Sequence, residues 1–193
     1  MNKYWILLFV AWLALPWQAF AEHFEIDGDH SSVLFSAHFF TTFQVKGRFD
    51  KFSGVLEADP KSKSLQSVRG EIESASINSN QIGRDDHLRT DHFFYVKAHP
   101  KITFVSKKVT GKGNDITVVG DLTMRGVTKE VELKGSYTGY KEGYGKQRIG
   151  FTGHTRINRK DFDVSWNKPI DTGGDLIGDL IEVELNIIAL KVQ

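Results

Sequence analysis

A period-two alternation of apolar and polar residues constrains this chain more than any other feature. It is clearest in residues 32–39, where the apolar side chains recur at Val33, Phe35, Ala37 and Phe39. Such alternation places the apolar set on one face, so the pattern predicts a half-buried β-strand. Similar alternation recurs in residues 45–49, 102–104, 131–134, 149–151 and 181–187. Together with the turn-forming residues between these stretches, it predicts about eight to ten strands.

The predicted strands are too numerous for the helices available to cover them. Only residues 79–90 favour a helix, so the sheet must close on itself or fold into a sandwich. Glycines inside the strand patterns, among them Gly47, Gly120 and Gly150, favour closure because they permit sharp bends. We therefore expect an all-β, antiparallel up-and-down barrel of about eight strands, with one short helical segment near residues 80–94.

Strand parity predicts which side chains face the interior of this barrel. On the early strands they are Val33, Phe35, Ala37, Phe39, Phe43, Val45 and Phe49. On the later strands they are Phe104, Val118, Leu133, Phe151, Val183 and Leu185. Each strand is a separate prediction, because a register shift of one residue would turn its whole set outward.

The first 21 residues have the pattern of a secretory signal peptide. Lys3 precedes an apolar run over residues 4–15, and small residues at Ala19 and Ala21 predict cleavage after Ala21. The run is too short to span a bilayer comfortably, and no later stretch supplies about 20 uncharged residues, so no stable membrane anchor is expected. The mature protein is predicted to be exported as one domain, residues 22–193.

Composition excludes several classes of function. The chain has no cysteine, which removes disulfides, thiol nucleophiles and cysteine-based metal sites. It has 25 basic and 24 acidic residues, so no field for nucleic acid or an anionic membrane is expected. The partner is therefore predicted not to be a polyanion.

Residues 84–94, RDDHLRTDHFF, are the most charged short stretch of the chain and invite two chemical interpretations. A metal site is disfavoured because His87 and His92, five residues apart, point in different directions if the helix continues. Catalysis by the adjacent Asp85 and Asp86 is disfavoured because neighbouring residues on a helix do not face each other. No nucleophile elbow or phosphate-binding glycine loop occurs elsewhere in the chain.

The same stretch also fits a closing element for an apolar interior. Leu88, Phe93 and Phe94 supply an apolar face on an otherwise charged segment, as a lid over a cavity requires. Capping of a filled core by the same side chains is the alternative that chemistry alone leaves open. Ser79 and Asn80 are the candidate N-caps of the helix.

Six ordered motifs extend these observations to a resemblance. They are Ser76-Ile77-Asn78, Arg84-Asp85-x-His87-Leu88-Arg89, Phe93-Phe94-x-Val96, Pro100-x-Ile102-x-Phe104, Gly120-Asp121-Leu122-Thr123-Met124 and Ile157-Asn158-Arg159-x-Asp161-Phe162. With His30-Ser31 near the start, they resemble the YceI-like family of periplasmic polyisoprenoid-binding proteins over nearly all of the mature chain. One departure is Asp163, where related sequences often carry glycine.

The resemblance implies a lipocalin-like barrel whose elongated apolar cavity holds a polyisoprenoid or a comparable long-chain lipid. A prenyl quinone or prenyl phosphate, held for transport, storage or sequestration, is the expected ligand. No enzymatic activity, cofactor or metal is expected. A lipid-modifying enzyme with Arg84, Asp85, His87 and Asp91 at the mouth is the rival interpretation, and a filled structural barrel is a third. A homodimer is left open.

Alternation and the lid hypothesis together give the candidate ligand contacts. They are Phe35, Phe39, Phe43, Phe49, Leu88, Phe93, Phe104, Leu133, Phe151, Phe162, Trp166 and Val183. Arg84, His87 and Arg89 are the candidates for a polar head group, because each can donate hydrogen bonds to a phosphate or carbonyl.

Overall fold

The computed structural model describes residues 21–171 and 173–192, so most of the predicted signal peptide lies outside the described residues. Eleven strands account for most of this part of the chain. They are β1 (Glu22–Ile26), β2 (Ser32–Phe39), β3 (Phe43–Phe49), β4 (Phe52–Asp59), β5 (Ser64–Glu73), β6 (Ile77–Asn78), β7 (Lys101–Lys112), β8 (Asp115–Met124), β9 (Val127–Gly143), β10 (Lys146–Asn158) and β11 (Ile177–Lys191). One α-helix, α1 (Ile82–Arg89), and two 3-10 helices, Ser74–Ser76 and Arg159–Phe162, accompany them.

The sheet closes into an eight-stranded antiparallel barrel. Its neighbours run in the order β1, β4, β5, β7, β8, β9, β10 and β11, and β11 pairs with β1 to complete the circle. Strands β2, β3 and β6 continue β1, β4 and β5 along the barrel, with β2 lying beside β11. The predicted lipocalin-like barrel with one short helix is therefore confirmed.

The eleven strands exceed the eight barrel positions because kinks divide three of the long strands. The kink between β1 and β2 shows how the chain keeps its pairing at such a break. The Ser31 hydroxyl donates to the Ile188 carbonyl at 3.1 Å and accepts from the Ile188 amide at 2.9 Å. A side chain thus replaces the missing backbone ladder, so the bend leaves β11 without unpaired polar groups at this position.

One end of the barrel, which we call the base, is filled by a packed core. The base carries the β4–β5, β7–β8 and β9–β10 turns, and it joins the start of β1 to the end of β11. Its buried residues are Phe24, Leu56, Ala58, Leu65, Ile116, Val118, Tyr137, Ile149, Phe151, Ile187 and Ala189. Tyr137 and Phe151 pack edge to face with ring centroids 5.4 Å apart. The packed base therefore closes this end of the barrel.

The opposite end carries the lid, which we define as residues 79–94, and the β10–β11 loop, residues 159–176. The helix of the lid begins differently from the prediction: Gln81, not Ser79 or Asn80, is the N-cap, and its side chain accepts from the Arg84 amide. Ser79 is instead bonded to Asp85, and Asn80 has a left-handed backbone with φ of 61°. Ser79 and Asn80 therefore form the turn that leads into the helix.

Arg159 holds the β10–β11 loop against the barrel. Its side chain is 3% exposed, and it donates to the carbonyls of Val164 at 2.7 Å, Trp166 at 2.9 Å and Gly178 at 3.0 Å. Burial lowers the pKa of Arg159, and the nearby Asp179 opposes that effect. Asp163 closes the preceding 3-10 helix in a left-handed conformation, φ 61°, which aspartate tolerates in place of glycine. The departure at Asp163 therefore preserves the turn.

The packed base makes a prediction about stability. Phe24 is fully buried there, so Phe24→Ala should lower the free energy of unfolding by about 3–5 kcal/mol in ligand-free protein. Urea denaturation measures this loss. Tyr144→Ala, at a fully exposed site in the turn before β10, should change stability by less than about 0.5 kcal/mol. A loss below about 1 kcal/mol for Phe24→Ala would show that the base is not packed as described.

Candidate functional site

An apolar cavity of about 370 Å³ lies between the packed base and the lid. Side chains from strands all around the barrel line it, because alternation along each strand directs every second residue inward. Of the candidate contacts, it is lined by Phe35, Phe39, Phe49, Leu88, Phe93, Phe104, Leu133, Phe151 and Val183. The volume falls within the range of about 300–1,000 Å³ that is typical of small-molecule sites.

Three predicted contacts do not line the cavity. Phe43 has the inward parity, but it lies at the tip of the β2–β3 hairpin, beyond the end of the barrel, and is 64% exposed. Phe162 is buried at 2% exposure in the core around the β10–β11 loop and is absent from the cavity lining. Trp166, on the same loop, is half-buried against His87 and Phe93. Strand parity predicts which face of the sheet a side chain lies on, but it does not predict whether that position lies within the barrel or beyond its end.

The cavity also has lining residues that were not singled out from the sequence. They are chiefly aliphatic, and they include Ile102, Met124, Val131, Ile157, Val164, Ile177 and Ile181. The sequence pattern could have identified Ile102 as an inward-facing residue, because it shares strand parity with Phe104 and belongs to the same predicted strand. Ile177 was harder to place, because a register shift between Ile177 and Ile181 interrupts the alternation along β11.

The lid closes the cavity with three apolar side chains, Leu88, Phe93 and Phe94, all of which reach its lining. Two arginines hold the lid in place. Arg89 donates to the carbonyls of Ala75 and Ile77, each at 2.8 Å, and to Asp86 at 3.1 Å. Arg125, in the turn between β8 and β9, donates to the carbonyls of Asp91 and Phe93. The lid is thus fastened to the barrel from both sides by charge-assisted hydrogen bonds.

The structure gives Arg89, a predicted head-group residue, a role in holding the lid. Its guanidinium is committed to the lid and lies outside the cavity lining. Asp85 is also structural: it is 7% exposed, and its carboxylate accepts from the Ser79 amide at 2.8 Å and hydroxyl at 2.5 Å. These bonds fix the start of the lid, in agreement with the local charge network expected for this segment.

Arg84 is the predicted head-group residue that does reach the cavity. It lies in the lining beside Ser79. Its Nε donates to the Ser79 hydroxyl, and its Nη2 donates to the Ser79 carbonyl, both at 2.7 Å. The same side chain is exposed to solvent, so the guanidinium occupies the boundary between the apolar interior and water. Such a place suits a donor to the polar end of an amphiphile.

His87, also predicted as a head-group residue, lies outside the cavity lining and joins the lid to the β10–β11 loop. Its ring packs edgewise on Phe93 and Trp166, with centroids 5.0 and 4.8 Å away, and its Nε2 lies 3.1 Å from Nδ1 of His92. The two histidines meet, contrary to expectation, because α1 ends at Arg89 and the chain turns back. Burial, followed by the charges of His92 and Lys168, lowers the pKa of His87.

Among residues 21–171 and 173–192, no three His, Asp or Glu side chains are grouped closely enough to hold a metal ion. No helix in the same ranges combines the length and apolar character required to cross a membrane. The apolar cavity, with Arg84 at its edge, is the candidate functional site.

The position of His87 predicts a pH dependence of stability. Its pKa in the folded protein lies below the ordinary value of about 6.5, so the unfolded chain binds a proton more readily than the folded one. The contribution of neutral His87 to the stability of the fold is therefore complete above about pH 6.5, and it is lost as the pH falls toward the lowered pKa of His87 in the folded protein. Thermal melts across this pH range should show the melting temperature falling with pH, and His87→Gln should make that fall smaller.

The matched control is His154→Gln, at an exposed histidine on β10. It should retain the pH dependence of the wild-type protein. An identical dependence in the wild type and in both variants would contradict the role assigned to His87.

Comparisons of sequence and of structure with known proteins lead to the same family. A family profile described as YceI-like domain matches residues 24–189. A UPF0312 protein of Vibrio cholerae is 35% identical over 156 residues, which cover 79% of this chain and 82% of that protein. The crystal structure of a Campylobacter jejuni YceI protein is 32% identical, with a TM-score of 0.69 over 77% of this chain and 86% of that one.

A more distant structure shares the fold. It is described as a polyisoprenoid binding domain from Saccharophagus degradans implicated in plant cell wall breakdown. It is 15% identical, with a TM-score of 0.62, and the match covers 88% of this chain and 98% of that one. At this identity, the likeness establishes the shared architecture alone.

Proposed function

The chain belongs to the family of YceI-like domains, and we propose that it is a periplasmic binding protein for a polyisoprenoid or similar long-chain lipid. The lipid lies in the barrel cavity and is held there for transport, storage or sequestration. The observation that carries the proposal is the apolar cavity itself, closed at the base and covered by an apolar lid.

The composition of the cavity lining favours a hydrocarbon chain over a polar ligand. Aromatic and aliphatic side chains surround the interior, and Arg84 with Ser79 provides a polar corner at its edge. Each CH₂ group transferred from water into such a site contributes about 0.8 kcal/mol, so even a partly enclosed chain would bind strongly. Selectivity then depends on cavity length and on the few polar groups near the opening.

Two further observations support the proposal. The Saccharophagus degradans domain with the same architecture is described as polyisoprenoid binding. Residues 1–21 have the sequence of a signal peptide, which supports export to the periplasm, the compartment implied by the family resemblance. The ligand is therefore sought among lipids available there, including prenyl quinones and prenyl phosphates.

The rival proposal, a lipid-modifying enzyme, needs Arg84, Asp85, His87 and Asp91 to converge at the mouth. The geometry favours binding, because Arg84 lines the cavity whereas Asp85 is committed to Ser79 and His87 packs against Trp166. The backbone carbonyl of Asp91 serves as an anchor for Arg125. Arg84 and Asp85 share Ser79 as a hydrogen-bond partner, whereas His87 and Asp91 make other contacts, and three of the four residues hold the lid in place.

A cavity-filling substitution tests the proposal directly. Ala37 lines the cavity, so the ring introduced by Ala37→Phe should enter empty space and change stability by less than about 1 kcal/mol. The same ring should greatly reduce uptake of a fluorescent prenyl or acyl probe, measured by titration. The matched control is Ala189→Phe in the packed base, which should cost about 1–3 kcal/mol through overpacking. Equal losses of stability in the two variants would indicate a filled interior and contradict the proposal.

The polar corner makes a separate prediction about head groups. Arg84→Gln should weaken binding of farnesyl phosphate, whose charge the guanidinium can contact, far more than binding of farnesol. Arg89→Gln should instead lower thermal stability without changing that preference, because Arg89 fastens the lid. Isothermal titration with both ligands provides the comparison. Equal weakening for the two ligands in Arg84→Gln would exclude Arg84 as the head-group contact.

A further inference from the structure

The tip of the β2–β3 hairpin exposes aromatic side chains that the cavity does not use. We define the tip as residues 39–45, Phe-Phe-Thr-Thr-Phe-Gln-Val, a stretch without a charged side chain. Phe43 is 64% exposed and Phe40 is 42% exposed. Large apolar side chains grouped at one exposed point are uncommon on a soluble domain and mark an interaction site.

The backbone of the tip adds to this evidence. Phe40 and Thr41 have positive φ angles of 49° and 58°, a left-handed conformation that bulky and β-branched residues seldom adopt. Glycine or asparagine would suit such a turn better. The Phe40 ring packs edge to face on Phe39, with centroids 4.6 Å apart, while its amide donates to the Leu176 carbonyl at 2.9 Å. The tip is thus held in a defined shape despite its exposure.

The tip is continuous with the wall of the cavity. Phe39 and Val45, at its two ends, line the cavity, whereas Phe40 and Phe43 between them are exposed and lie outside its lining. Beside the tip, Leu180 on β11 is 57% exposed. An apolar surface therefore extends from the interior of the barrel onto its outer rim at the lid end.

The charges near the tip do not oppose contact with an apolar phase. On the neighbouring β10–β11 loop and β11, Asp175 and Asp179 lie 3.7 and 2.9 Å from the Lys160 ammonium group. Asp179 also lies 3.4 Å from the Arg159 guanidinium, so two cations accompany these two carboxylates near Leu176, whose carbonyl accepts from the Phe40 amide of the tip. The charge that follows the tip along β3 is Lys46, a side chain long enough to extend into water while its stem lies on an apolar surface.

We propose that the hairpin tip inserts into the surface of a lipid bilayer and places the cavity opening on the membrane from which the ligand enters. Aromatic rings are favoured at the bilayer interface, where they need no partner of fixed geometry. This proposal rests on the proposed function, because it assigns the bilayer as the source or destination of the bound lipid.

The N-terminal segment of the chain is a less suitable occupant for the tip. Phe39 pairs with Ile177 at the start of β11, whereas Phe24 pairs with Lys191 at its end. At about 3.3 Å per residue, the two positions are roughly 45 Å apart, so the start of β1 lies at the opposite end of the barrel from the tip. A second copy of the chain could also cover the tip, and the experiment below distinguishes such a dimer from binding to a bilayer.

The test is co-sedimentation of the mature protein with phosphatidylcholine vesicles. We expect the wild type to bind the vesicles. The double variant Phe40→Ser with Phe43→Ser should bind them at least about tenfold more weakly, because two rings lose their apolar contact with the bilayer. Tyr144→Ser removes a fully exposed aromatic ring at the base and should leave binding unchanged. Failure of the wild type to bind, or equal losses in both variants, would overturn the proposal. So would a vesicle-free dimer that the double variant abolishes, measured by analytical ultracentrifugation.

A second measurement separates this proposal from the proposed function. Each protein is offered a prenyl alcohol in detergent micelles, where no bilayer is needed. The double variant should take up the alcohol as the wild type does, while its transfer of the alcohol to or from vesicles slows. Uptake from micelles without any vesicle binding would overturn membrane docking alone. Vesicle binding through the tip without uptake in either format would instead support docking and contradict the proposed function.

Discussion

Pairing of β11 with both β1 and β2 is the interaction on which the rest of the structure depends. Because β11 also pairs with β10, these contacts close the sheet and give every strand two neighbours around the base. Closure directs alternate side chains into a single interior, which the chain fills at one end only. Phe24 and its neighbours pack the base, whereas the lid end retains a space for a ligand. The binding site is therefore a consequence of closing the barrel without filling it.

Sequence patterns predicted those parts of the protein that local periodicity controls. The alternation of Val33 to Phe39 identified a strand whose inward side chains line the cavity, and Leu88 and Phe93 were correctly placed in a segment that covers the interior. Phe43 shows the limit of this reasoning. Its parity is inward, but parity carries no information about where the barrel ends, so its exposure followed only from the three-dimensional register with Phe39.

The roles of the charged residues depended on contacts between segments distant in sequence. Arg89 reaches the carbonyls of Ala75 and Ile77, and Arg125 reaches the lid from the turn between β8 and β9. No local pattern distinguishes such anchoring arginines from Arg84, which remains at the edge of the cavity. The meeting of His87 with His92 likewise depended on where α1 ends, and helix ends are poorly determined by sequence alone.

The central claim is that the space above the base holds one lipid chain. Native mass spectrometry of protein purified without detergent or organic solvent tests it most directly. The account predicts a species heavier than the polypeptide alone by the mass of a single long-chain lipid, which organic extraction then releases intact. A bare polypeptide mass, with no uptake after incubation with prenyl and acyl chains, would contradict it.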